Sequence, residues 1–111
     1  MNCDSATLYF ELDSSALRSE DRAKLGEMAP CLSKRPGRVR LEGHCDSRGT
    51  TEYNLALGQR RADSVRDYLI GLGVSPDRLS TISYGEERPA VTGSGEGVWA
   101  KNRRVELKVT N

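Results

Sequence analysis

The sequence predicts an α+β two-layer sandwich, with two main helices packed on one face of a small mixed four-stranded sheet. Three observations predict it. Four segments are rich in strand formers or alternate apolar and polar residues, two longer segments repeat apolar residues at helical spacing, and their order is β-α-β-α-β-β. Two packed layers bury the apolar side of every such element. A chain of 111 residues supports one core, so we expect a single domain over residues 1–111, with residues 1–5 flexible.

The first half of the chain predicts a strand, a helix and a second strand. Residues 6–12 are rich in strand formers. Ser19 can cap a helix, which Pro36 and Gly37 end. The apolar stripe of this helix comprises Leu25, Met28, Ala29 and Leu32. Residues 39–45 then alternate with period two, which is typical of a half-buried strand.

The second half predicts a long helix and two further strands. The helix covers residues 51–72, with Gly73 as its C-terminal cap. The pattern predicts strands over residues 79–84 and 105–110. Between them, residues 85–99 are rich in glycine, and we expect them to be irregular.

Composition argues against several classes of function. The net charge is +1, so the chain lacks the basic field that attracts nucleic acid, and its one Phe and one Trp leave few rings for stacking bases. No apolar run approaches the roughly 20 residues of a membrane span, and no signal peptide is visible. A cytosolic protein and a domain cut from a longer exported chain both fit this composition.

The cysteines do not predict a metal site. Cys3, Cys31 and Cys45 form no C-x-x-C pair, and the chain has a single histidine, so we expect no metal and no cofactor. Cys3 and Cys31 fall at the same end of the predicted domain. A disulfide between them is possible in an oxidising compartment, and Cys45 is left over at the other end.

One arginine of the long helix is placed beside the core. The middle of the helix's apolar stripe lies between Gly58 and Ala62, and Arg61 falls roughly 70° to one side of it, whereas Arg60 points into solvent. A half-buried guanidinium calls for an anionic partner. Asp46, at the end of the preceding strand, is the obvious one, and a structural Asp46–Arg61 ion pair is one interpretation.

A ligand site is the other interpretation, because polar groups are concentrated at this end of the predicted domain. Asp13, Asp46, Asn54 and Arg61 gather there with the backbone amides of Gly49, Thr50 and Thr51 at a helix N-terminus. An acid, a base and free amides together suit a zwitterion, with its ammonium on Asp46 and its carboxylate on Arg61.

Three segments carry a resemblance to a known family. They read LEGHCDSRGTTEYNLALGQRR from residue 41, ISYGEERPAV from residue 82 and KNRRVELKV from residue 101. Together they resemble the OmpA-like C-terminal domain family, and within it the peptidoglycan-associated lipoproteins (Pal). The resemblance covers nearly the whole chain, from Tyr9 to Val109.

The resemblance implies non-covalent binding of peptidoglycan through the diaminopimelate of its stem peptide, without enzymatic activity. The family's key acid and base fall on Asp46 and Arg61. Its supporting residues fall on Asn54, Leu57, Asp13 and Arg103, and Thr50 lies among the amides described above. The resemblance also implies a periplasmic domain at the outer membrane, with TolB or other Tol components as partners. It implies an N-terminal lipid anchor as well, which we expect to be absent from these 111 residues. Leu12 departs from the family, which commonly has an aromatic residue there.

Two other hypotheses compete with peptidoglycan binding. An enzyme using His44 and Cys45 is disfavoured because adjacent strand residues point to opposite faces, so base and thiol cannot meet. We expect His44 to hydrogen-bond loop backbone near Asp46 instead. The other alternative is a protein-interaction domain with a non-functional pocket. Its candidate surface, residues 85–99, includes Trp99, which we expect to plug the local core.

Overall fold

The computed structural model describes residues 3–110, which form a four-stranded sheet and three helices. The strands are β1 (Ser5–Tyr9), β2 (Arg38–His44), β3 (Leu79–Gly85) and β4 (Arg104–Thr110), and the helices are α1 (Ser19–Lys34), α2 (Thr51–Gly71) and α3 (Glu96–Asn102). A single 3-10 turn, Pro76–Arg78, precedes β3.

The sheet is mixed and has the strand order β1-β4-β2-β3. β4 lies antiparallel to both of its neighbours, and β2 and β3 are parallel. Parallel neighbours need a long crossover, which α2 supplies. The predicted α+β fold and the order of its main elements are confirmed.

The core lies between the sheet and the two long helices. Leu41 and Leu107, which are in register on β2 and β4, are fully buried in it. α1 contributes Leu25 and Leu32. Because strand side chains alternate, Glu42 and Glu106 project from the opposite face of the sheet. The sheet therefore has an apolar side under the helices and a charged outer side.

The structure corrects three local predictions. β1 ends at Tyr9 rather than at residue 12, since the chain turns away and Asp13 adopts a φ of 54°. Arg18, not Ser19, occupies the N-cap of α1 without a side-chain capping bond. The segment predicted to be irregular contains the first half of α3, which its short length and the glycines at its start, Gly95 and Gly97, hide from sequence patterns. The buried Asn102 side chain ties α3 to the backbone of Val91.

Cys3 and Cys31 are joined by a disulfide, and Cys45 is a free, buried thiol. The bond fastens the start of β1 to the last turns of α1. Of the segment expected to be flexible, residues 1 and 2 lie outside the described residues, Cys3 is buried and Ser5 begins β1. Within residues 3–110, none of the helices has the length and hydrophobicity needed to cross a membrane.

Two glycines let α2 approach β2 closely. A Cβ on Gly43 would lie 1.8 Å from the carbonyl oxygen of Gly58, and a Cβ on Gly58 would lie 2.3 Å from the Ser83 hydroxyl oxygen. A backbone carbonyl on a helix cannot rotate away as a side chain can. The contact therefore fixes how near the helix sits to the end of β2.

We expect Gly43→Ala to lower the free energy of unfolding by at least about 2 kcal/mol, because the added methyl group forces backbone apart. Gly26→Ala is the matched control: a Cβ added at Gly26 would have no neighbouring atom within 4 Å, and α1 should gain roughly 0.5–1 kcal/mol from alanine. Urea denaturation of both variants measures the two changes. Equal effects of the two substitutions would contradict the close approach.

Candidate functional site

A pocket of about 280 Å³ opens where β2 ends, between the segment after β1 and the first turns of α2. Its lining residues are Leu12, Asp13, Cys45, Asp46, Arg48, Gly49, Tyr53, Asn54, Leu57 and Arg61. Five of the seven residues selected from the sequence are among them, namely Asp13, Asp46, Asn54, Leu57 and Arg61. Thr50 and Arg103 do not line the pocket.

Arg61 is fully buried and holds three backbone segments together. Its Nε donates to the Ser14 carbonyl at 2.8 Å, Nη2 to the Glu11 carbonyl at 3.0 Å, and Nη1 to the His44 carbonyl at 3.0 Å. The guanidinium also stacks over the Phe10 ring, 5.3 Å from its centroid. The sequence predicted a half-buried Arg61, whereas the side chain is fully buried, because the segment after β1 folds over it.

The charge of Arg61 has no direct anionic partner. No carboxylate among residues 3–110 forms a salt bridge with it, so the structural Asp46–Arg61 ion pair, one of the two interpretations of the sequence, is not formed. Burial lowers the pKa of Arg61, yet a guanidinium is basic enough to stay charged. Nη2 makes one of its two possible hydrogen bonds, which leaves a donor on a residue that lines the pocket.

Asp46 is instead held by Arg48. The backbone N–H and Nε of Arg48 donate to Oδ1 at 3.0 and 3.2 Å, and Nη2 donates to Oδ2 at 2.8 Å. Arg103 lies behind the carboxylate, with Nη1 3.6 Å from Oδ2. Burial of Asp46 opposes its ionisation, but the bonds from Arg48 outweigh burial, and the pKa of Asp46 lies below its ordinary value. Asp46 is therefore an anion at neutral pH.

The rim of the pocket combines an acid with apolar surface. Asp13 has a left-handed backbone, a conformation that Asp tolerates better than most residues and that is common at functional sites. Its Oδ1 accepts a hydrogen bond from the Tyr53 hydroxyl at 3.1 Å, and this bond raises the pKa of Tyr53. Leu12 and Tyr53 are 51% and 42% exposed, so both present apolar surface beside the opening.

Asn54, Leu57 and Thr50 build the floor and its support. The buried Asn54 amide donates to the Arg48 carbonyl at 2.8 Å and to the Glu86 carboxylate at 3.0 Å, which fixes the turn after β2. Leu57 is buried and supplies an apolar floor. Thr50 caps α2, with its hydroxyl accepting from the Tyr53 N–H.

Sequence reasoning missed Arg48. The signal was present in the Asp-x-Arg spacing of the turn, which places a guanidinium beside the carboxylate of Asp46. Arg48 also stacks on Trp99, with its central carbon 4.0 Å from the ring centroid. Trp99 is partly exposed and supports Arg48, rather than plugging the core as expected.

His44 and Cys45 do not form a catalytic pair. The Cys45 thiol donates to the Asn54 carbonyl, and burial raises its pKa, so the unreactive thiol dominates. The His44 ring lies on the other face of the sheet, near Glu42 and Glu106, and burial lowers its pKa to about 4. The expected hydrogen bond from the His44 ring to loop backbone is not formed, because the alternation of β2 turns the ring outward.

The arrangement can recognise a small group that carries both charges. Asp13 and Asp46 attract a cation, and the buried Arg61 attracts an anion without a carboxylate of its own to neutralise it. The volume admits a side-chain-sized group rather than a large ligand.

Comparison with known proteins finds a match to the OmpA family model over residues 9–103. The peptidoglycan-associated lipoprotein of Pseudomonas putida is 55% identical over 102 residues, which cover 92% of this chain and 61% of that protein. The chain thus spans about three fifths of the length of that relative.

Two solved structures share the fold. The peptidoglycan-associated lipoprotein from Burkholderia pseudomallei superposes with a TM-score of 0.91 at 40% identity, covering 94% of this chain and 89% of that one. The cell wall anchor of the T6SS from Pseudomonas aeruginosa gives a TM-score of 0.81 at 31% identity, covering 95% and 79%. None of these names is that of an enzyme, in agreement with the sequence-based expectation.

The contacts of Arg61 predict a large effect on stability. Arg61→Ala removes the donors of three backbone carbonyls, and we expect it to lower the free energy of unfolding by about 3 kcal/mol. The neighbouring Arg60→Ala is the matched control, since Arg60 is exposed and its loss should change stability by less than about 0.5 kcal/mol. Chemical denaturation measures the free energy of unfolding of both variants. If Arg61→Ala lowers it no more than Arg60→Ala does, Arg61 does not have this anchoring role.

Proposed function

The chain belongs to the OmpA family, and from that membership and the geometry of the pocket we propose that this domain binds peptidoglycan non-covalently. In this way it would tether the outer membrane, or a protein in it, to the cell wall. The observation that carries the proposal is the buried Arg61 guanidinium, which lines a small pocket beside two carboxylates and has no anionic partner of its own.

We propose that the group bound is the diaminopimelate of the stem peptide. Its side chain ends in an amino acid group, so one small unit carries an ammonium and a carboxylate. The carboxylate would receive the remaining Nη2 donor of Arg61 and N–H groups at the start of α2, where Gly49 borders the pocket. The ammonium would lie between Asp13 and Asp46. Leu12, Tyr53 and Leu57 would contact the aliphatic chain.

Arg48 sets a condition on this binding mode. It already donates three hydrogen bonds to Asp46, out of about four that a carboxylate can accept. A ligand ammonium would therefore engage the open Asp13 first and share Asp46 with Arg48. The Arg48 side chain is about a third exposed and stacks on Trp99, and the proposed binding mode requires it to shift away from Asp46 when the ammonium binds.

We also propose a periplasmic location at the outer membrane and a Tol component, such as TolB, as a protein partner. The family resemblance supports both, and the Cys3–Cys31 disulfide supports an oxidising compartment. The alternative is that the pocket is non-functional and the domain binds proteins only. Retention by TolB together with no retention by sacculi would favour that alternative.

The proposal predicts that Asp46→Asn lowers the affinity for diaminopimelate-containing sacculi by tenfold to a hundredfold, as measured by cosedimentation. The physical reason is the loss of a charge-assisted hydrogen bond, worth roughly 1.5–3 kcal/mol. Asp67→Asn is the matched control, because it makes the same change on the exposed side of α2 and should leave binding unaltered.

Circular dichroism first establishes that both variants are folded. Sacculi with lysine in place of diaminopimelate serve as the second control, since lysine lacks the extra carboxylate. Undiminished retention of Asp46→Asn on diaminopimelate sacculi would refute the proposed site.

A further inference from the structure

A buried histidine on the outer face of the sheet has two unpartnered ring nitrogens. His44 is 1% exposed, and neither Nδ1 nor Nε2 has a hydrogen-bond partner among the described residues. A buried polar group left in this way costs free energy and calls for an explanation. This face lies on the opposite side of the sheet from α1 and α2, so the question is independent of the pocket.

The Nε2 atom points into a pair of carboxylates. It lies 3.9 Å from Glu42 Oε1 and 3.9 Å from Glu106 Oε2, and the three ligand atoms all lie within 4.8 Å of one another. Glu42 and Glu106 are directly opposite each other on β2 and β4. Like charges at such cross-strand positions are unfavourable unless a cation lies between them.

Three basic side chains form salt bridges with these two carboxylates. Lys108 Nζ lies 3.1 Å from Glu42 Oε1 and 3.5 Å from Glu106 Oε1. Arg40 and Arg104 approach the Oε2 atoms of Glu42 and Glu106 at 3.2 and 2.6 Å. Lys108 is half exposed and can swing into solvent, whereas the Arg104 side chain is only 5% exposed. Lys108 is therefore the basic side chain that an incoming cation can displace from Glu42 Oε1. Glu106 Oε2 would keep its bond from Arg104 and would offer its second lone pair to the cation.

We propose that Glu42, His44 and Glu106 form a binding site for a divalent transition-metal ion of the Zn²⁺ class, which displaces Lys108. One imidazole nitrogen and two carboxylate oxygens suit such an ion, whereas Ca²⁺ and Mg²⁺ prefer oxygen alone. Tetrahedral Zn²⁺ places its ligand atoms about 3.4 Å apart, so the side chains must close by about half an ångström or more. A water molecule would supply the fourth ligand.

The single histidine makes the test unambiguous. Untagged protein is titrated with ZnCl₂ in a non-coordinating buffer, by calorimetry and by ¹⁵N NMR of the imidazole. We expect one ion per chain and a shift of one ring-nitrogen resonance. Glu106→Gln should weaken binding at least tenfold, and Lys108→Met should strengthen it at least threefold.

Lys101→Met is the matched control for Lys108, because it removes an exposed lysine from α3 and should leave the affinity unchanged. Lys108 is exposed, so its variant also tests the site if Glu106→Gln fails to fold. An imidazole signal that does not move at millimolar Zn²⁺, or an affinity indifferent to both Glu106→Gln and Lys108→Met, would overturn the proposal.

Discussion

The hydrogen bonds from Arg61 to three backbone carbonyls are the interaction on which this end of the molecule depends. They join α2 to the end of β2 and to the segment that follows β1. Neutral carbonyls satisfy the N–H groups of a guanidinium without cancelling its charge. The protein thus keeps a buried positive charge beside a pocket, and Asp13 and Asp46 give the same pocket its negative side.

The last residues of β2 make contacts on both faces of the sheet. The His44 carbonyl accepts a hydrogen bond from Arg61, while the His44 ring lies with Glu42 and Glu106 on the outer face. Close contact between Gly43 and Gly58 brings α2 near enough for this bond. A short stretch of one strand therefore positions the candidate ligand site and the candidate metal site by the alternation of its side chains and backbone groups.

Hydropathy patterns were sufficient to predict the fold and which arginine is buried. The helical count separated Arg61 from Arg60 because burial depends on the angle around α2. The partners of Arg61 could not be predicted, since they are carbonyls of Glu11, Ser14 and His44, and every residue type has a carbonyl. The pairing of Asp46 with Arg48 depends on the turn conformation, and α3 was hidden by its short length and by Gly95 and Gly97 at its start.

The most direct test of the account is the affinity of the wild-type domain for soluble stem peptides that differ only in diaminopimelate or lysine. We predict saturable one-to-one binding of the diaminopimelate peptide, at least tenfold tighter than the lysine peptide, with NMR shifts at Arg61 Nε and in the turn after β2. Equal affinities for the two peptides, or shifts confined to another surface, would contradict the central claim that Arg61 reads the additional carboxylate.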